Sequence, residues 1–359
     1  PVDWILKAHI TVMILAYVVC FPVGAILGLV KHRLHVPVQA VGTGLTALGY
    51  ILGHSHGGRR FEESAHSANA WIMLYALMAQ VGLGVVLKVY RDPSSKLRSG
   101  FRIAHSLLGL AHPVLAYIQI VFGAITWNSF CADDHKGNCL AHFIMGSSFA
   151  WYGVFCLWAA SQLGRAWLGA RGELSGRYKS LEYYEGWLIA CWGLVNSLTE
   201  HTWGGQWFHN DIQHTAMGVL WLLGGLASIL LTHHRPSLRS PLPAIVILLT
   251  GVAMAAHAQH SMIGTMVHGF FGKAIGLAAV FRLIEVIVDG GGRAQGQTRT
   301  LMALKLLSSL FLILGGFLFS SSQEEALAYV DHSILDAPSY MLMTTCLAFL
   351  VYGYAQGLI

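Results

Sequence analysis

The chain has 359 residues, of which 55% are hydrophobic and 11% charged, and its formal net charge is +5. Ordinary soluble domains do not combine so much apolar surface with so few charges, and no block of like charge marks a nucleic-acid partner. The composition leaves an integral protein of the lipid bilayer.

Crossing about 30 Å of hydrocarbon as a helix takes roughly 20 mostly apolar residues. Stretches of that kind fall at 4–30, 37–52, 66–90, 101–127, 139–163, 183–201, 211–231, 242–260, 262–288, 301–321 and 337–358. The pattern predicts an all-α, polytopic transmembrane protein of about eleven helices. No cleavable signal peptide is expected in the first stretch, which is too long and carries a histidine.

His9 lies in the first stretch, His35 at the mouth of the second, His66 at the start of the third and His105 early in the fourth. Because the chain reverses direction at each crossing, His9 and His66 share one membrane face and His35 and His105 the other. Short cytosolic connections retain Lys and Arg. Fifteen of these, among them Lys31, Arg33, Lys88, Arg91, Lys96, Arg98 and Arg102, stand on the His35/His105 side, against Lys7, Arg59, Arg60 and Lys136 on the other. That asymmetry puts His35 and His105 near the cytosol and His9 and His66 on the lumenal or extracellular side of a plasma membrane or endomembrane.

A histidine inside a bilayer is costly to desolvate and tends to face the bundle interior with a partner, and neutral imidazole is an axial ligand of haem iron. Two pairs at matched depth predict two b-type haems, His9/His66 and His35/His105. Glycines such as Gly24, Gly28, Gly42, Gly84 and Gly109 leave room between helices for a flat macrocycle.

The order His35 with Gln39, His66 with Gln80, a basic loop from Arg91 to Pro93, and His105 with Gly109 resembles the cytochrome b561 core over about 120 residues. This chain departs from that family at Ala104, where a doubled histidine is usual, and at Leu34, where an aromatic is usual. The resemblance implies one haem near each face and cytosolic ascorbate, or a similar small anionic reductant, as electron donor. The whole chain, with EYYEGW and EHTWGGQWFHNDIQH in its second half, also resembles the fungal Ytp-type membrane proteins.

Cys131 and Cys139 flank the loop after the fourth stretch on the non-cytosolic side, where a disulfide is expected; Cys20, Cys156, Cys191 and Cys346 read as packing residues. The polar, Gly- and Arg-rich connection 164–180 predicts a boundary between a haem domain, 1–165, and a six-helix domain, 166–359. In the latter, Glu200 and His201 close the sixth stretch, His209, Asp211 and His214 open the seventh, His257 and His260 close the eighth, and His268 begins the ninth. Asp211 with His214, and His257 with His260, are three apart and share a helix face. These eight side chains predict a site for one or two transition-metal ions, with copper, iron, zinc and manganese all admissible to nitrogen and carboxylate donors. Glu285 is expected to pair with Arg282, and His112 and His142 have no assigned role.

The expected function is a transmembrane oxidoreductase passing electrons from the cytosol through both haems to a lumenal metal centre or metal-ion acceptor. The alternative is a metal transporter or metal-binding membrane protein without redox catalysis. A homodimer is compatible with either reading.

Overall fold

The computed structural model describes residues 3–56, 63–92, 94–131, 136–166, 179–201, 203–234, 238–257, 259, 261–289 and 298–359. Among them every regular element is helical. The helices are α1 (Trp4–Ile14), α2 (Phe21–Leu29), α3 (His35–Gly53), α4 (Ala65–Val89), α5 (Lys96–Asn128), α6 (Lys136–Ala160), α7 (Leu181–Thr199), α8 (His209–His233), α9 (Leu242–Ala255), α10 (Met262–Asp289), α11 (Arg299–Ser320), α12 (Glu324–Asp331) and α13 (Ala337–Leu358). α1 and α2 form one span, joined by a π-helical turn at Leu15–Cys20. Pro22, which has no N–H to give the ladder, stands just past that turn.

Each apolar stretch in the sequence is a helix. Among the described residues eight spans are long and apolar enough to cross a membrane, with α7, α9 and α10 outside that measure; α9 has only 14 residues. The protein is an all-α, polytopic membrane protein. Helix starts follow the local chemistry of capping: the Asp3 carboxylate accepts from the Leu6 amide at 2.7 Å. Ser64 and Ser67 form a reciprocal capping box on α4, and Asp336 caps α13.

The chain divides into two compact units, Pro1–Asp133 and Asp134–Gly357. In the first, α1 and α2 pack along α3, and α4 packs along α5, giving two helical hairpins. A small core of Ala16, Phe21 and Leu77 lies between them, with Tyr17 and Leu45 against it.

In the second unit α7 lies along α8, α6 along α11, and α10 between α9 and α11. Its core holds Trp221, Phe271, Ile275, Ile313, Leu318 and Phe319. Small residues let these backbones meet. A Cβ on Gly193 would lie 2.3 Å from the Leu222 amide nitrogen, and one on Gly316 would lie 2.5 Å from that of Ala150. Gly193→Leu is therefore expected to cost about 3 kcal/mol through overpacking, read as a lower unfolding midpoint in detergent.

The division after residue 133 differs from the boundary expected near 165. The fifth span, α6, goes with the second unit because Gly146 and Gly153 let α11 approach to backbone contact. Which helix answers a small-residue face is a pairing decision that composition along one segment does not contain.

Candidate functional site

At one end of the first unit the rings of His9 and His66 face each other with centroids 6.4 Å apart and planes at 86°. At the other end His35 and His105 do the same at 6.3 Å and 88°. The structure thus brings together both imidazole pairs read from the sequence.

One local device recurs at three of these histidines. Nδ1 of His9 donates to the Gly49 carbonyl at 2.7 Å, that of His35 to Gly24 at 2.7 Å, and that of His66 to Gln119 at 3.2 Å. The residue four positions after each acceptor is glycine: Gly53, Gly28 and Gly123. A Cβ there would lie 2.9, 2.8 and 3.2 Å from the same imidazole. Gly84, four after Gln80, lies more loosely against His105, where a Cβ would stand 3.4 Å from the ring, and Nδ1 of His105 is buried without a hydrogen-bond partner. In a helix the carbonyl of residue n bonds the amide of n+4, so a side chain at n+4 screens that oxygen, and glycine leaves it open to a second donor. The arrangement is reciprocal within each hairpin. His9 uses a carbonyl of α3 while His35 of α3 uses one of α2, and His66 of α4 uses α5 while His105 of α5 packs on α4.

Carbonyls only accept, so Nδ1 of His9, His35 and His66 carries a proton, and in the neutral ring Nε2 then keeps its lone pair. Gln119 supports this tautomer at His66: its amide donates to the His66 carbonyl at 3.0 Å, lies 3.5 Å from Nε2, and accepts from Asn69 at 2.7 Å. Two imidazoles bound on opposite sides of one metal, with nitrogens about 2.0–2.1 Å from it and roughly 1 Å from their own ring centres, have centroids a little over 6 Å apart. Both pairs meet that spacing, which a bis-histidine metal macrocycle requires.

Between the two pairs, His112 stacks on Tyr17 at 5.5 Å and 18° and meets the edge of Phe21 at 5.2 Å. It is 5% exposed, and both ring nitrogens are buried without a hydrogen-bond partner. The sequence showed His112 but gave no reason to place it here, because Tyr17 and Phe21 come from the π-helical junction. A groove of about 580 Å³ runs between α3 and α4, lined by Thr43, Thr46, Tyr50, Leu77, Met78 and Gly82 among others.

In the second unit the other constellation gathers at one end but separates into pairs. His201 Nδ1 lies 3.0 Å from Asp211 and its ring stacks on Trp207 at 3.7 Å; His214 Nδ1 lies 3.1 Å from Glu200. His257 Nδ1 lies 2.5 Å from Gln213. Ring centroids then run His214 to His257 at 5.1 Å, His257 to His268 at 6.5 Å and His268 to His142 at 5.7 Å. His209 is exposed at the start of α8, and His260 lies outside the described residues. Among the described residues no three His, Cys, Asp or Glu side chains converge closely enough to hold a metal ion. His142, unassigned from the sequence, ends the string with Nε2 3.5 Å from that of His268.

The opposite end of the second unit holds an ion network that the sequence showed only as Glu285 with Arg282. Those two do pair, and Arg282 also reaches Glu182 at 2.9 Å and Glu185 at 3.2 Å. Arg239 bonds Glu182 at 2.8 Å, Glu285 at 3.2 Å and Asp289. Partial burial and nearby Arg282 oppose the charge on Arg239, but Glu182 and Glu285 outweigh both and raise its pKa. Cys131 and Cys139 are disulfide-bonded, as expected from their setting, and the other four cysteines are free.

The family described as "Protein YTP1-like, C-terminal" matches residues 115–359, and a "Domain of unknown function (DUF2427)" matches residues 1–90. Protein YTP1 of Saccharomyces cerevisiae is 32% identical over 79% of this chain and 60% of its own length, so the chain spans less than two thirds of that relative. An uncharacterized membrane protein of Schizosaccharomyces pombe is 24% identical over 88% of this chain and 86% of its own. A second from Saccharomyces cerevisiae is 25% identical over 62% of this chain and 42% of its own. No solved structure matches.

Proposed function

The chain belongs to the YTP1-like family of membrane proteins, and from that premise we propose that its first unit holds two b-type haems and carries electrons across the bilayer. His9 and His66 would hold one, His35 and His105 the other. The donor in this reading is cytosolic ascorbate or a similar small anion, and the acceptor is a metal ion or other oxidant on the far side. The single observation that carries the proposal is the centroid spacing of 6.3–6.4 Å in both pairs. A haem held by these histidines would supply one-electron redox chemistry.

The residues of this chain prepare for that chemistry in three ways. Nδ1 bonds to Gly49, Gly24 and Gln119 hold three of the rings in the metal-binding tautomer and make them better donors. Glycines beside each ring set its depth. His112, Tyr17 and Phe21 fill the space between the pairs with aromatic side chains and exclude water. On the donor side, Arg98 Nε donates to the Tyr90 carbonyl at 2.7 Å and caps α4, so its charge serves the helix end as well as an anion. A resident metal in the second unit is left out of the proposal, since the donors described there form pairs.

The test is an optical spectrum of the purified chain. Reduction with dithionite is expected to give the bands of six-coordinate b-type haem, at about two haems per chain. A folded, colourless protein overturns the proposal. The cradle has its own test. A side chain on Gly28 strikes the His35 ring, while Gly44 on the same helix pair faces open space. Gly28→Val is expected to lose the His35/His105 haem alone, and Gly44→Val to keep both, as read by haem content.

A further inference from the structure

Inside the second unit, a cavity of about 170 Å³ lies among α6, α7, α8, α9, α10 and α11. That exceeds the ~150 Å³ in which an apolar protein core accommodates benzene. Its walls are aromatic and aliphatic, with Phe149, Trp192, Trp221 and Leu312 among them. One end is charged: Glu185 and Arg282 line it beside Tyr152, whose hydroxyl donates to Glu185. Ser148 of α6 and Leu188 of α7 also line the cavity and are exposed, so it opens sideways between these two helices.

The charge at the closed end is unbalanced. Among the described residues the network contains Glu182, Glu185, Glu285 and Asp289 against Arg239, Arg282 and, at 3.9 Å from Glu285, Lys305. Among these described groups one carboxylate is in excess. Glu182 is fully buried, and its Oε2 has no hydrogen-bond partner. Among the described residues Arg282 is the one cation lining the cavity, and it already serves three carboxylates. Aromatic faces beside a surplus carboxylate favour a cation.

We propose that this cavity binds a long-chain amine from the bilayer, its ammonium group against Glu185 and its hydrocarbon chain leaving between α6 and α7. The ammonium completes the charge balance of the network, and the tail lies along the aromatic wall. The buried indole N–H of Trp192, also without a partner, adds a donor for an oxygen on the same ligand.

The test uses the full chain in phosphatidylcholine nanodiscs, photolabelled with a diazirine-bearing dodecylamine. Dodecylamine, dodecanol and dodecanoate compete. Labelling is expected to saturate and to map to α6 and α7, with dodecylamine competing at a concentration about tenfold or more below the other two. Glu185→Gln keeps an acceptor for the Tyr152 hydroxyl and removes the surplus charge, and it is expected to erase that advantage. Ser148→Trp, at the exposed mouth, is expected to reduce labelling of α6 and α7. Equal competition by dodecanol, which marks a neutral lipid crevice, overturns the proposal, as does preference for dodecanoate. Retention of the amine advantage in folded Glu185→Gln overturns it too. If Glu185→Gln does not fold, Ser148→Trp decides: unchanged labelling of α6 and α7 sinks the proposal, and loss supports it.

Discussion

His66→Ala is expected to lower bound haem from about two to about one per chain and to abolish electron transfer across the membrane. The ring it removes faces His9 at 6.4 Å, and the alanine takes away one of the two side chains that would hold that haem. His9→Ala is expected to have the same effect, and the double variant His9→Ala/His66→Ala no further one, because both rings would grip one iron. His66→Ala with His105→Ala is expected to lose both haems. This non-additive pattern separates ligation from general loosening of the unit, which would scale with the number of substitutions. Haem content by pyridine haemochrome and ascorbate-driven reduction of an external acceptor in proteoliposomes provide the two readouts. Full haem content in His66→Ala would remove the ligand assignment.

Arg282→Ala is expected to destabilise the second unit by about 3–5 kcal/mol, the cost of leaving buried carboxylates without their cation. Arg282 lies among Glu182, Glu185 and Glu285, of which Glu182 and Glu285 are fully buried. Adding Glu185→Gln to Arg282→Ala removes one of the stranded charges and is expected to restore part of the loss. The measurement is the unfolding midpoint in detergent for the two single variants and the double. Equal midpoints for Arg282→Ala and the unaltered chain would mean that the network contributes nothing to stability. Asp289→Asn, at the rim of the same network, is expected to cost far less, because its side chain is 19% exposed and meets water.

Much of the architecture is legible from residues alone. Membrane helices are governed by the cost of placing an unbonded peptide group in hydrocarbon, and that constraint acts on each segment separately. It therefore writes itself into local hydropathy, which is why all eleven stretches are helices. The pairing of His9 with His66 and of His35 with His105 was legible too, since an antiparallel chain places the mouths of alternate helices on one side. Parity along the chain fixes that relation before any contact is known.

Tertiary structure alone decided three things. It assigned α6 to the second unit, because Gly146 and Gly153 admit α11, a match between two surfaces distant in the chain. It separated Glu200, His201, Asp211 and His214 into hydrogen-bonded pairs, because helix ends that share a layer still aim their side chains according to rotation and tilt. And it collected Glu182, Arg239, Arg282, Glu285 and Asp289 into one network from three separate parts of the chain. Residue type and helical phase state which groups a segment offers. Which groups meet depends on how neighbouring helices pack, and packing follows from the shapes of two surfaces at once.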